Sequence, residues 1–334
     1  PWIMVSFFVL KKSMVFYTVI FIYMTSTRNK TIKVENLDQE TLYANVLTDV
    51  KDFQSLINKT IHWDSIELLK KIPDNSVDLI VTDPPYNLTK EYAGTKFAAS
   101  SNEDYENWLE LRIPELKRIS KDNASVYICC DWKSSIPVYN IMSKYFTIIN
   151  RITWEREKWR WASANWKNCI EDIYFWVVNN KHYTFNIDEV KIKRKVIAPY
   201  KTDDWEAKDW AEEKDWNFRL TMPSNVWTDI SIPFWSMPEN TTHPTQKPEK
   251  LIAKIILASS NRWDIVLDPF LWSWTTSVVA KKLWRKYIWI EKERDYSIIA
   301  EHRLKLAESN KSIQWYEDWV FWERNTLQER QSKK

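Results

Sequence analysis

From residue 60 onward the chain alternates short apolar runs with amphipathic stretches. Apolar runs of strand length between turn signals predict strands, and apolar positions recurring every three to four residues predict helices. Thr60-Ile61-His62 opens the pattern, and strands are expected at Val77–Thr82, Ala124–Cys130, 146–154, 171–178, Asp264–Leu267 and Tyr287–Ile290. Helices are expected at 64–72, 103–119, 134–144, 246–260 and 275–283. Strands alternating with helices imply an α/β fold, a doubly wound and mostly parallel sheet covered on both faces. Residues 185–242, with Pro199, Pro223, Pro233 and Pro238, read as irregular, and the Lys/Glu-rich tail after about 305 as peripheral.

In such a sheet, ligands lie beyond the carboxyl ends of the strands. Four strand ends carry acids: His62-Trp63-Asp64, Asp83-Pro84-Pro85-Tyr86, Asp268-Pro269-Phe270, and Glu291. In the second of these, two prolines hold the backbone extended and supply no N–H of their own. The strand end then presents the Asp83 carboxylate, the Pro84 carbonyl and the aromatic face of Tyr86. Two acceptors and a ring suit a flat base with an amino group. A strand-ending turn with an incidental tyrosine is the plainer alternative.

Here the chain resembles the DNA amino-methyltransferases, whose catalytic motif is [DNS]-P-P-[YFW]. The resemblance runs from about residue 55 to residue 324. It includes Thr242-His243-Pro244-Thr245-Gln246-Lys247-Pro248 and Leu267-Asp268-Pro269-Phe270, followed by Trp-Ser-Trp-Thr-Thr at 272–276. The catalytic motif precedes the cofactor motif, the order of the β class. It implies the Rossmann-like fold of S-adenosylmethionine-dependent methyltransferases, with a target-recognition region between the motifs at 185–242. The implied division is an N-terminal arm at 24–54, a catalytic half at 55–184, a cofactor-binding half at 243–305 and a tail at 306–334.

The resemblance also implies roles. Asp83, Pro84, Pro85 and Tyr86 act on the extruded base. Asp64 receives the cofactor's adenine amino group, and Glu291 its ribose hydroxyls. Asp268, Phe270, Trp272, Ser273, Trp274, Thr275 and Thr276 form the loop at a helix N-terminus that meets the methionine carboxylate. His243, Thr245 and Lys247 border the methionine end. Hydrogen bonds from the adenine N6 amino group to Asp83 and the Pro84 carbonyl favour a pyramidal nitrogen, which attacks the sulfonium methyl in line. The base must first leave the duplex. Asp at the head of the motif accompanies adenine more often than cytosine, so N4-cytosine methylation stands as the alternative. Cytosine C5 chemistry would need a Pro-Cys nucleophile, and Cys129 and Cys130 lack that context. Enzymes that methylate RNA or protein glutamine carry their motif after the cofactor loop, the reverse of the order here. An inactive DNA-binding protein is the reading of the chain as literally written.

Composition changes the picture at one point. The chain has 22 tryptophans and one glycine, Gly94, whereas glycine is normally about 7% of residues. Trp272, Trp274, Trp284, Trp289, Trp63, Trp159 and Trp161 fall where the family usually has glycine. Trp205, Trp216, Trp263, Trp315 and Trp319 look the same, whereas Trp108, Trp132, Trp154, Trp166, Trp210, Trp227, Trp235 and Trp322 read as true tryptophans. The pattern fits a UGA codon written as Trp in a gene whose host reads it as Gly.

The net charge of +3 is only mildly basic, so contact with double-stranded DNA must come from clusters. Arg151, Arg156, Lys158 and Arg160 form one candidate, and Lys191, Lys193, Arg194 and Lys195 another. The three cysteines show no zinc spacing and fit a reducing cytoplasm; no metal is implied. Residues 1–23 are apolar but split by Lys11 and Lys12. The two pieces are each shorter than a membrane span, and the segment lacks a signal-peptide pattern. They are expected to be upstream sequence, with the start near Met24. A homodimer and a cognate restriction endonuclease are further partners to be tested.

Overall fold

The computed structural model describes residues 28–87, 90–92, 95–97, 101–156, 166, 169–196, 201–206, 209–213, 216–243, 245–270 and 275–324. Eight strands make the main sheet: β1 (Lys59–His62), β2 (Val77–Thr82), β3 (Ser120–Cys130), β4 (Thr147–Glu155), β5 (Ile170–Val177), β6 (Val226–Trp227), β7 (Ile265–Asp268) and β8 (Lys286–Glu291). Their order is β1-β8-β7-β2-β3-β5-β4-β6. All neighbours are parallel except β5, which runs against both β3 and β4.

Alternation along β2 explains the two covered faces. Leu79 and Val81 enter one core and Ile80 enters the other. The helices are α1 (Gln39–Tyr43), α2 (Ser65–Leu69), α3 (Asn102–Glu110), α4 (Ile113–Ile119), α5 (Ser135–Met142), α6 (Glu249–Ser259), α7 (Thr275–Lys282) and α8 (Arg294–Ser309). Helices α6, α7 and α8 pack into the Leu79 core, and α2 to α5 into the Ile80 core. The single helix expected at 103–119 is two, because Pro114 falls in the first turn of α4. Proline is tolerated there and not in a helix interior.

The 185–242 region is not irregular. Its strands Ile192–Lys195, Ala211–Glu213 and Trp216–Thr221 join Tyr316–Glu317 and Val320–Trp322 in a five-stranded second sheet. The tail is therefore not peripheral: Phe321 is fully buried, and Val320–Trp322 pairs in parallel with Ile192–Lys195. The boundary expected at 306 falls inside α8.

Eight non-glycine residues among those described have positive φ. Asn58, Asn75 and Asp318 are types that tolerate it; the others are Trp205, Trp263, Trp284, Trp315 and Trp319, at φ 54–72°. Trp284 shows the requirement best. Helix α7 ends in a Schellman turn, with Arg285 N–H donating to the Ala280 carbonyl at 2.8 Å. The residue between, Trp284 at φ 63°, holds the place glycine usually takes because it has no Cβ.

Candidate active site

The strand ends converge as the parallel order requires. Trp63 N–H donates to the Glu291 carbonyl at 2.9 Å, tying the end of β1 to the end of β8. Asp83 follows β2, Asp268 closes β7, and Glu291 closes β8. All three carboxyls are buried, while Asp64 is exposed.

Asp83 is held on one side only. Its Oδ2 receives Lys247 Nζ at 2.5 Å, whereas its Oδ1 is buried without a partner. Burial raises the Asp83 carboxyl, although the Lys247 charge pulls it the other way. Lys247 is itself 2% exposed and meets a second carboxylate, Glu171, at 2.7 Å. Tyr86 donates its hydroxyl to Glu171 at 2.7 Å, and Tyr105 donates to the Pro85 carbonyl at 3.0 Å. Pro85 and the Tyr86 ring are thus fixed from outside the turn. Asp83, Cys129 and Glu171 gather closely enough to hold a cation, and the cation they surround is the Lys247 ammonium. Burial pushes the Cys129 thiol far above its ordinary range, so it stays protonated and is no nucleophile.

On the cofactor side, Glu291 Oε1 accepts the Glu293 N–H while Oε2 is buried and unpartnered. A buried acceptor left open at a strand end fits a ribose hydroxyl. Asp268 accepts from Phe270 N–H at 3.2 Å and from the Thr276 hydroxyl at 2.9 Å. Burial pushes its carboxyl up to about 8, a state that a cationic ligand group would reverse. Phe270 lies against Trp108, with ring centroids 5.4 Å apart, and the Arg112 guanidinium covers Trp108 at 3.8 Å. Arg112 also feels the charge of Asp64. Trp108, Arg112 and Phe270 therefore stack as one group.

The other assigned residues take the following places. Thr275 donates its hydroxyl to the Lys247 carbonyl at 2.8 Å, and Thr276 donates to Asp268. Both hydroxyls brace the start of α7. Lys247, expected at the methionine end, meets Asp83 and Glu171. His243 is buried edge-on against Tyr296 at 5.3 Å, and burial lowers its imidazole to about 3, so it is neutral. Thr245 N–H points to His243 Nδ1 at 3.3 Å. Trp272, Ser273 and Trp274 lie outside the described residues.

The basic clusters also divide. Arg156 is turned inward to Glu171 at 2.8 Å, and Lys193 is buried with its ammonium 3.5 Å from the Phe218 ring centroid. Neither faces a phosphate. Arg151 pairs with Asp172 while half exposed, Lys191 pairs with Asp188, and Arg194 lies 3.8 Å from Glu323. Lys195 is exposed, and Lys158 and Arg160 lie outside the described residues.

Glu171, Tyr105, Trp108 and Arg112 were not singled out by sequence. The usable signal for Glu171 was an acid pair opening the apolar run at 170–177.

Residues 77–302 match the N6/N4 DNA methylase family. The chain belongs to that family. It is a DNA methyltransferase, and the family's methyl donor is S-adenosylmethionine. It is 38% identical to the DNA adenine methyltransferase YhdJ of Escherichia coli K12 over 249 residues, 74% of this chain and 82% of that one. It is 35% identical to the Type II methyltransferase M.HpaI of Haemophilus parainfluenzae, over 72% of each chain. Among solved structures, the cytosine-N4-specific PvuII DNA methyltransferase superposes with a TM-score of 0.52 at 16% identity, over 74% of this chain and 85% of that one. TTHA0409 of Thermus thermophilus, complexed with S-adenosyl-L-methionine, gives 0.50 at 19% identity, over 79% and 96%. These two likenesses are of fold. Among the described residues of the methyltransferase, no helix is long and apolar enough to cross a membrane.

Proposed function

We propose that the enzyme methylates adenine N6 at a specific sequence in duplex DNA, after flipping the base out of the helix. The observation that carries this reading is Asp83, one oxygen fixed by Lys247 and the other buried and open. A buried acceptor without a donor is costly, and an amino N–H entering the site would satisfy it. Its relatives named as adenine and Type II methyltransferases favour adenine over cytosine N4. S-adenosylmethionine, when bound, supplies an electrophilic methyl group. Glu291 and Asp64 would hold its ribose and adenine, with Phe270 and Trp108 against the ring.

The chain's own residues do the rest. Asp83 Oδ1 takes one amino proton in a hydrogen bond and orients the nitrogen lone pair. Tyr86, pinned through Glu171, presents its ring to the base. Exposed Lys195 and half-exposed Arg151 and Arg194 remain candidates for phosphates. A cytoplasmic location, a homodimer and a cognate endonuclease belong to this reading, the endonuclease by analogy with the relatives named Type II methyltransferases. Mass spectrometry of nucleosides from treated DNA should find N6-methyladenine. Asp83→Ala should abolish turnover while cofactor affinity stays within about threefold. N4-methylcytosine in the digest would refute the adenine assignment.

We also infer that many tryptophans stand where natural translation places glycine. In support, Trp205, Trp263, Trp284, Trp315 and Trp319 have positive φ, and none of the eight tryptophans read as true ones does. Trp63, Trp216 and Trp289 do not share the positive φ. Codons 63, 159, 161, 263, 272, 274, 284 and 289 should be UGA, and those of Trp108, Trp154 and Trp227 should be UGG. The chain with glycine restored should bind S-adenosylmethionine in calorimetry, and the tryptophan chain should not. UGG at both 272 and 274 would end the idea.

A further inference from the structure

Glu171 opens β5 and is 2% exposed, yet it meets three polar partners. The Tyr86 hydroxyl and Lys247 Nζ each lie at 2.7 Å from its Oε1, and the Arg156 guanidinium lies 2.8 Å from its Oε2. A carboxylate so deep costs several kcal/mol to desolvate unless it is paired. Burial pushes it up, but Lys247 and Arg156 together outweigh this and hold it below the usual range. It is therefore charged. With Asp83 ionised against the Lys247 ammonium, the set of Asp83, Glu171, Lys247 and Arg156 sums to zero.

That sum matters to the amino-transfer reading, on which this inference rests. The nitrogen lone pair forms the new N–C bond, and the S–C bond breaks with its electron pair left on sulfur. Positive charge passes from sulfur to the amino nitrogen until one of its protons leaves to water. Lys247 is a fixed cation on the Asp83 that receives this nitrogen, and at a buried site it is weakly screened. We propose that Glu171 is a positioning residue for the transfer, cancelling the Lys247 charge where the amino group becomes cationic and fixing Tyr86 through its hydroxyl. Without the Glu171 charge the set has a net charge of +1 and opposes the charge developing on nitrogen.

The test uses the full chain with glycine at the suspect tryptophans, and the parent's turnover checks the amino-transfer reading by itself. Glu171→Gln keeps the volume and the acceptor for Tyr86. It should lower kcat about tenfold or more, while KM for DNA and for S-adenosylmethionine stays within about twofold. Adding Arg156→Gln returns the sum to zero and should recover at least about threefold in kcat. A kcat for Glu171→Gln within about twofold of the parent, or a double variant no faster than the single, overturns the proposal. Arg156→Gln alone reads the same network should Glu171→Gln not fold. Glu171 is faced by Asp83, Tyr86, Cys129, Lys247 and Arg156. Losing one of its two cations should move the acid limb of kcat to higher pH. An unmoved limb counts against the proposal.

Discussion

A tryptophan at positive φ sets its Cβ against the following carbonyl, at a cost of roughly 1–2 kcal/mol. Trp263 and Trp284 are 62% and 45% exposed, so little burial offsets that cost. Their edge-on contact at 6.2 Å returns about 0.5–1.5 kcal/mol for the pair. Trp263→Gly and Trp284→Gly should each raise the unfolding free energy by about 1 kcal/mol. Trp154→Gly should behave oppositely. Its ring is fully buried and its Nε1–H donates to the Ile230 carbonyl at 2.9 Å, so about 3–5 kcal/mol is lost. Chemical denaturation of the three variants separates these classes, and a destabilised Trp284→Gly would contradict the backbone argument.

Helix α6 illustrates what one element carries. Its apolar face enters the core, yet Lys250 and Lys254 are also fully buried. Both ammonium groups meet Asp229, at 2.6 and 2.9 Å. Burial raises the Asp229 carboxyl, but the two lysines outweigh it and bring it down to about 2, while burial lowers Lys250 to about 8. A carboxylate with a depressed folded pKa adds stability above its unfolded value, near 3.9, and loses it as pH falls toward 2. The contribution at neutral pH is on the order of 2 kcal/mol. Asp229→Asn leaves two buried cations with a neutral partner, so it should cost about 3–5 kcal/mol at pH 7. Its deficit should shrink on acidification from about pH 4 to pH 2, the window set by those two pKa values. A deficit that stays constant over that range would show that the ion pairs do not carry the stability.

Across the whole molecule, the second sheet joins segments more than a hundred residues apart. Val320–Trp322 pairs with Ile192–Lys195, and Lys250 Nζ donates to the Trp322 carbonyl at 2.8 Å. Ending the chain after Ser309 removes that strand and uncovers Lys193 and Lys250. Such a truncation should raise KM for DNA severalfold and lower thermal stability, because the 185–242 segment, expected to recognise the target, loses its partner strand. Cofactor affinity should change little, since the proposed cofactor acids Asp64, Asp268 and Glu291 lie at or just beyond strand ends of the main sheet. Equal losses in both affinities would mean that the two sheets act as one unit.

The linear order of residues determined the α/β class, the covered sheet and its catalytic turn. Those depend on local periodicity, and Val77–Thr82 ending at Asp83-Pro84-Pro85-Tyr86 displays it without any distant partner. The acids Asp64, Asp268 and Glu291 were legible for the same reason: each follows or closes a strand whose carboxyl end must face the ligand. Strand direction and distant pairing were decided only by the tertiary structure. An apolar run at 170–177 reads alike in either direction, and only as an antiparallel strand does it bring its first acid, Glu171, to the edge where its neighbours end. The same holds for Lys247, which the sequence groups with the cofactor motif and the fold delivers to Asp83, 164 positions away. It holds again for Arg156, a basic residue in a basic cluster until folding supplies a buried carboxylate for it. Charge pairing between remote segments has no sequence period, and so only the packed chain reveals it.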